Sequence, residues 1–90
     1  MKLSEEQIKA NLVQVPGWRY EEGFLKKTYR FGDFKESLRF VNEVGGLAEA
    51  ANHHPDVLIQ YNQVTLSLRT HDEDGITGKD FSLAEEADKV

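Results

Sequence analysis

The chain contains no cysteine, which removes disulfide staples and thiolate chemistry from consideration. Proline occurs only twice, at Pro16 and Pro55, so its punctuation is confined to two places. Positive charge is scarce: 11 Lys and Arg stand against 16 Asp and Glu, a formal net charge of −5. Beyond Lys26-Lys27 no basic cluster stands out, which argues against direct nucleic-acid binding. Long apolar runs are missing and 30% of the residues are charged, so no membrane span is expected. The sequence does not open on a basic segment followed by an apolar one, so no secretory signal is expected. These absences point to a soluble globular protein, with the cytoplasm as its expected compartment.

What is present suffices for one core. Ninety residues fit one small domain, 1–90, and 39% of them are hydrophobic, with five Phe, three Tyr and one Trp. A domain of this size without staples is marginal alone, so self-association is expected.

Ser4-Glu5-Glu6-Gln7 has the form of a capping box, opening a short helix to about Val13 that Pro16-Gly17 ends. Trp18–Glu21 and Phe24–Arg30 read as two strands joined around Glu22-Gly23. Asp33-Phe34-Lys35-Glu36 reads as a second capping box at the start of the longest helix. Its apolar residues Phe34, Leu38, Val41, Val44, Ala48 and Ala51 form one stripe on a 3.6-residue period, a core or interface face. Gly45 and Gly46 interrupt it, either for close packing or as a weak point, each costing about 1 kcal/mol relative to alanine. Pro55 limits this helix, because the residue before proline is pushed out of helical geometry. Val57, Ile59 and Tyr61 alternate, as do Val64, Leu66 and Leu68, and Asn62-Gln63 between them predicts a tight hairpin. A polar loop follows from Arg69 to Gly78. Thr77 to Asp80 then resembles a third helix start, with Phe81, Ala84 and Ala87 facing inward. Helix, hairpin, helix, hairpin, helix predicts an α+β architecture, an antiparallel sheet covered on one face.

The chemistry resides in three histidines. His53 and His54 fall where the long helix stops, and His71 follows the last strand. Pairing of the two later strands brings the chain leaving His54 and the chain arriving at His71 to the same end of the sheet. Glu49 lies one helical turn before His53, at the spacing where side chains meet. Asp80 opens the last helix near the same loop. Imidazole donates or accepts a proton near neutral pH. A helix C-terminus and Glu49 would both favour a charged His53, suited to act as a general acid. A neutral histidine nearby could take a proton from an adjacent nitrogen. Together they suit elimination of water from a carbinolamine.

Simpler readings compete. A loop histidine is ordinarily a surface residue, His-His-Pro alone can be a helix stop, and Asp80 can be only the partner of Thr77 in a capping box. Three histidines and two carboxylates could also ligate zinc, although adjacent histidines rarely chelate one ion and no helical His-x3-His pair exists. No G-x-S-x-G elbow supports a serine nucleophile.

The run Glu49-x3-His53-His54-Pro55-x5-Tyr61-x9-His71-x8-Asp80 resembles the signature of the pterin-4a-carbinolamine dehydratases. Phe31-x2-Phe34-x5-Phe40, Ala48-Glu49, Asn52 to Asp56 and Thr70-His71 extend the match, which covers roughly Trp18 to the C-terminus. The resemblance implies removal of water from 4a-hydroxytetrahydropterin to give a quinonoid dihydropterin, without metal or organic cofactor. It further implies a place in tetrahydrobiopterin recycling, linked to a pterin-dependent aromatic amino acid hydroxylase. By residue it implies His53 and His71 as proton movers and His54 as the main holder of the pterin. Pro55, Thr70 and Asp72 fall at or beside its pterin-binding segments, with Glu49 and Asp80 in support. The implied fold is a four-stranded antiparallel sheet with three helices on one face. The implied assembly is a homodimer or homotetramer built through sheet edges and the long helix. Gly45-Gly46 departs from the family pattern and bears on that assembly, not on the chemistry. Animal members also serve a homeodomain transcription factor as dimerisation cofactors, and nothing in these residues extends that role here. Two other readings stay open: a non-catalytic interaction module on the same fold, and related chemistry on another pterin, such as one of molybdopterin metabolism.

Overall fold

Local chemistry sets the first helix: Ser4 Oγ accepts from the Gln7 N–H at 3.1 Å while Gln7 returns its side-chain oxygen to the Ser4 N–H at 2.8 Å. The computed structural model describes residues 1–90 and places the elements as α1 (Glu5–Leu12), β1 (Arg19–Glu21), β2 (Phe24–Arg30) and α2 (Phe34–Ala51). β3 (Asp56–Gln60), β4 (Gln63–Leu68), a 3-10 turn (His71–Glu73) and α3 (Gly78–Asp88) complete the chain. The predicted order therefore stands, with the 3-10 turn added inside what reads as a polar loop. No helix is long and apolar enough to cross a membrane.

Glu22 and Gly23 both have positive φ, 53° and 85°, the backbone of a two-residue hairpin turn. The sheet runs β1-β2-β4-β3, every neighbouring pair antiparallel. Register places Leu25 opposite Leu68, and Leu66 between Lys27 and Val57. Leu25, Val64, Leu66 and Leu68 are thereby buried on one face, against Ile8 of α1, Val44 and Ala48 of α2, and Leu83 and Ala84 of α3. Each such aliphatic side chain contributes about 1.5–3 kcal/mol when fully buried. Lys27 and Tyr29 lie on the same face, and both polar tips end on Asp88 of α3, at 2.9 and 2.5 Å. Trp18 Nε1 reaches both oxygens of that carboxylate at 3.2 Å. Partial burial works against the charge on Asp88, but these donors outweigh it and hold its carboxyl below the ordinary range. Burial, with the Asp88 hydrogen bond and charge, pushes the Tyr29 phenol well above its own.

Four details differ from the sequence-based expectations. In α2 the buried residues are Ser37, Phe40, Val44 and Ala48, whereas Phe34 and Leu38 are 46% and 40% exposed. Phe40 packs on Tyr29 and Phe31 with ring centroids 4.5 and 5.0 Å apart, which turns the helix away from the longer apolar stripe. Asp33 caps α2 by accepting from the Glu36 N–H at 2.9 Å, but Glu36 accepts from Gly32 at 3.3 Å, so the box is only half made. The later hairpin turns at Tyr61-Asn62, one residue early, because Gln60 pairs with Gln63 and Tyr61 takes φ 54°. Asn62 secures that turn by accepting from the Phe31 N–H at 2.8 Å and donating its amide to Phe31 O at 3.2 Å. Ile76, inside the supposed polar loop, is fully buried.

Candidate functional site

α2 ends on Asn52 in the left-handed conformation, φ 51° and ψ 43°, its N–H bonded back to Ala48 and Glu49 carbonyls. This reversal takes the next residues out of helical phase. His53 turns inward, with its side chain 10% exposed, and its Nε2 lies 2.6 Å from Oδ1 of Asp80, whose side chain is fully buried. His54 turns outward, and its Nε2 meets Glu49 Oε2 at 2.5 Å, with both side chains mostly in solvent. Helical spacing predicts Glu49 beside His53. Glu49 pairs with His54 instead, because the left-handed residue breaks that spacing.

Asp80 is the hub of the buried side. Its position, third in α3, lets Oδ2 accept the Thr77 N–H at 2.9 Å, which closes a capping box. The same oxygen accepts the Thr70 hydroxyl at 2.8 Å, and the hydroxyls of Thr70 and Thr77 lie 2.8 Å apart. No buried side-chain nitrogen or oxygen is left without a partner. The sequence exposes Asp80 as a cap residue, and the structure shows it to be that and the partner of His53 as well.

Asp56 pairs with Ser67, so the start of β3 and the end of β4 lie at one end of the sheet, as expected. The His53-His54-Pro55 segment and the Thr70-His71-Asp72 segment therefore approach each other there. His71 and Asp72 are exposed on the 3-10 turn, which an antiparallel bridge between Thr70 and Gly75 closes at its base. Thr70, expected beside the ligand, directs its hydroxyl to Asp80.

Three clefts surround this hub. His53 lines one of about 240 Å³, with Leu47, Ala51 and Leu83 supplying apolar wall and Lys79, Ser82 and Glu86 polar edges. His54 and Pro55 line a broader groove with Val57 and the glycines of α2. Thr70 and Asp72 line a third with Thr77 and Lys79. None of the three takes in more than one histidine. Sequence reasoning missed Thr77, Lys79, Ser82 and Glu86 as neighbours of the site. For Thr77 a signal existed: a T-x-x-D cap sets a hydroxyl beside the carboxylate. No group of three or more His, Asp or Glu side chains is gathered closely enough to hold a metal ion.

The chain matches a family model described as pterin 4 alpha carbinolamine dehydratase over residues 1–90. It is 47% identical over 90 residues to a Sulfolobus acidocaldarius protein that carries a pterin-4-alpha-carbinolamine dehydratase name, covering 100% of this chain and 99% of that one. A Chloroflexus aurantiacus protein with the same name is 46% identical over 89 residues, covering 99% and 96%. The crystal structure of a transcriptional coactivator/pterin dehydratase from Brucella melitensis superposes with a TM-score of 0.95 at 27% identity, covering 99% and 97%. A pterin dehydratase-like protein identified as a RuBisCO assembly factor in the alpha-carboxysome shares the fold, with a TM-score of 0.70 over 81% and 87% at 20% identity. The chain belongs to the pterin-4α-carbinolamine dehydratase family, a family of hydro-lyases.

Proposed function

We propose that this protein removes water from 4a-hydroxytetrahydropterin by histidine acid/base catalysis, giving the quinonoid dihydropterin. The observation that carries the reading is the buried 2.6 Å contact between His53 and Asp80 beside a cleft. In the reaction the C4a–O bond breaks as the N5 lone pair forms a double bond to C4a. The departing hydroxyl takes a proton from one imidazole, and a second imidazole takes the proton from N5. His53 and His71 fill these two roles, with His53 as the acid. Asp80 orients the His53 ring and stabilises its charged form as protons move, as a buried carboxylate does for a catalytic histidine. His54, aligned by Glu49, holds the pterin along with Pro55 and Asp72. Imidazoles supply all the proton transfer that the elimination needs, so no metal enters the scheme.

The substrate has the structure left when a pterin-dependent aromatic amino acid hydroxylase transfers one oxygen atom. Tetrahydrobiopterin recycling in the cytoplasm is the matching role. Self-association is part of the proposal. β3 is a sheet edge with exposed Val57 and Leu58, and α2 presents Phe34 and Leu38 outside the core. A homodimer or homotetramer would cover both.

The test is a stopped-flow dehydration assay on enzymatically generated 4a-hydroxytetrahydropterin, run with and without a metal chelator. Catalysed dehydration at equal rates in both is expected. No acceleration over buffer would defeat the reading, and loss with chelator that zinc restores would defeat its metal-free mechanism.

A further inference from the structure

Asp80 is held by more than a helix cap requires. The cap needs only the Thr77 N–H, yet Oδ2 also takes the Thr70 hydroxyl. Counting hydrogens gives each bond a direction. The Lys79 N–H donates to Thr77 Oγ1 at 3.2 Å, which leaves the Thr77 hydroxyl hydrogen for Thr70 Oγ1, 2.8 Å away. Thr70 then has its own hydrogen for Asp80 Oδ2. Each hydroxyl accepts one bond and donates one. With two donors on Oδ2, Oδ1 is left to accept the Nε2 proton of His53. Nδ1 becomes the ring nitrogen that can meet a ligand.

Thr70 has a second attachment. Its N–H donates to Gly75 O at 2.9 Å, and its carbonyl accepts from the Glu73 and Gly75 N–H groups at 3.1 and 3.3 Å. These bonds build the turn that carries His71, the next residue in sequence. We infer that Thr70 is a positioning residue that sets the His53 and His71 rings relative to each other. Its hydroxyl, ordered by Thr77, locks Asp80 and through it His53, while its backbone fixes the root of the His71 turn. Thr70 is only 5% exposed, and a hydroxyl committed to Asp80 has no hydrogen left for a substrate. The kinetic consequences rest on the dehydratase reading, whereas the hydrogen-bond chain does not.

The test compares wild type, Thr70→Val and Thr70→Ser, each also in an Asp80→Ala background. Thr70→Val keeps the shape and deletes the hydroxyl. It should lower kcat about tenfold to a hundredfold, the range for losing one hydrogen bond to a charged group, with KM essentially unchanged. Thr70→Ser should restore kcat, and Thr70→Val should add nothing once Asp80 is gone. Proton NMR should show the His53 Nε2–H resonance displaced in Thr70→Val and returned in Thr70→Ser. A raised KM at unchanged kcat would make the hydroxyl a substrate ligand and overturn the inference. So would full additivity with Asp80→Ala, or an undisplaced resonance. An inactive wild type would remove the dehydratase reading instead, and the resonance then decides the hydrogen-bond chain alone. If Thr70→Val does not fold, Thr77→Val cuts the same chain one bond earlier and is read in the same ways.

Discussion

His53 and Asp80, 27 residues apart in sequence, meet at 2.6 Å in the part of the site most shielded from water. Asp80 serves two elements with one side chain: Oδ2 closes the start of α3 and Oδ1 faces the imidazole. A carboxylate fixed by a helix cap does not have to be ordered when the reaction begins. That is the physical advantage of building a proton-transfer site on the first turn of a helix.

The roles proposed for the three histidines predict a division of labour. His53→Ala and His71→Ala should each slow turnover by about 10²- to 10⁴-fold, the usual worth of a positioned acid or base. His54→Ala should chiefly raise KM, because its ring, aligned by Glu49, is assigned to holding the pterin. Steady-state kinetics on the three variants, with folding checked by circular dichroism, separates the roles. Near-wild-type turnover in the double variant lacking His53 and His71 would rule out the assignment.

Gly45 and Gly46 weaken α2 with no steric reason within the chain, since an added Cβ at either meets nothing within 4 Å. Gly45→Ala and Gly46→Ala should each stabilise the fold, by up to about 1 kcal/mol. Urea unfolding measures this. A loss of stability would show that the glycines face a close neighbour from another copy.

Self-association should be detectable by sedimentation equilibrium at micromolar concentration, as a species heavier than the 10.3 kDa chain. Leu58→Lys places a charge on the exposed β3 edge and should shift the population toward monomer. A wild type that sediments only as the single chain contradicts this part of the account.

Asp88 ties the end of α3 to Trp18, Lys27 and Tyr29, and its carboxyl lies below the ordinary value. A depressed folded value means stability that is present above the unfolded carboxylate value, roughly 3.9, and lost as pH falls through the folded one. Asp88→Asn should therefore destabilise the protein at neutral pH. The gap to wild type should close in acid below that ordinary value. Denaturation midpoints at neutral and acidic pH test this, and a gap independent of pH would refute it.

Much of this structure is legible in the sequence because local signals agree with it. Ser4, Asp33 and Thr77 each cap the helix they precede, and Glu22-Gly23 turns where two strands require it. The failures have one origin, which is that side-chain partners are tertiary. Periodicity groups Phe34 and Leu38 with Val44, but only the rings of Tyr29 and Phe31 decide that Phe40 points inward. Spacing pairs Glu49 with His53, and a single left-handed residue, Asn52, reassigns both partners. The three histidines are visible by type and position. Which carboxylate serves which histidine is not, because that depends on the packing of α3 beside the end of α2.

The most direct test of the central claim is stopped-flow turnover of Asp80→Asn beside wild type. The new amide oxygen can still accept from Thr70 and the Thr77 N–H, so the cap and the fold should survive. The amide nitrogen, however, would present a donor to His53 Nε2 where the carboxylate presents an acceptor, so the ring could no longer hold both protons and would lose the charged form that acts as the acid. The same exchange in a Ser-His-Asp triad lowers turnover by about 10⁴. A folded Asp80→Asn variant whose kcat falls at least about a hundredfold is the predicted result. Wild-type turnover from that variant would contradict the account.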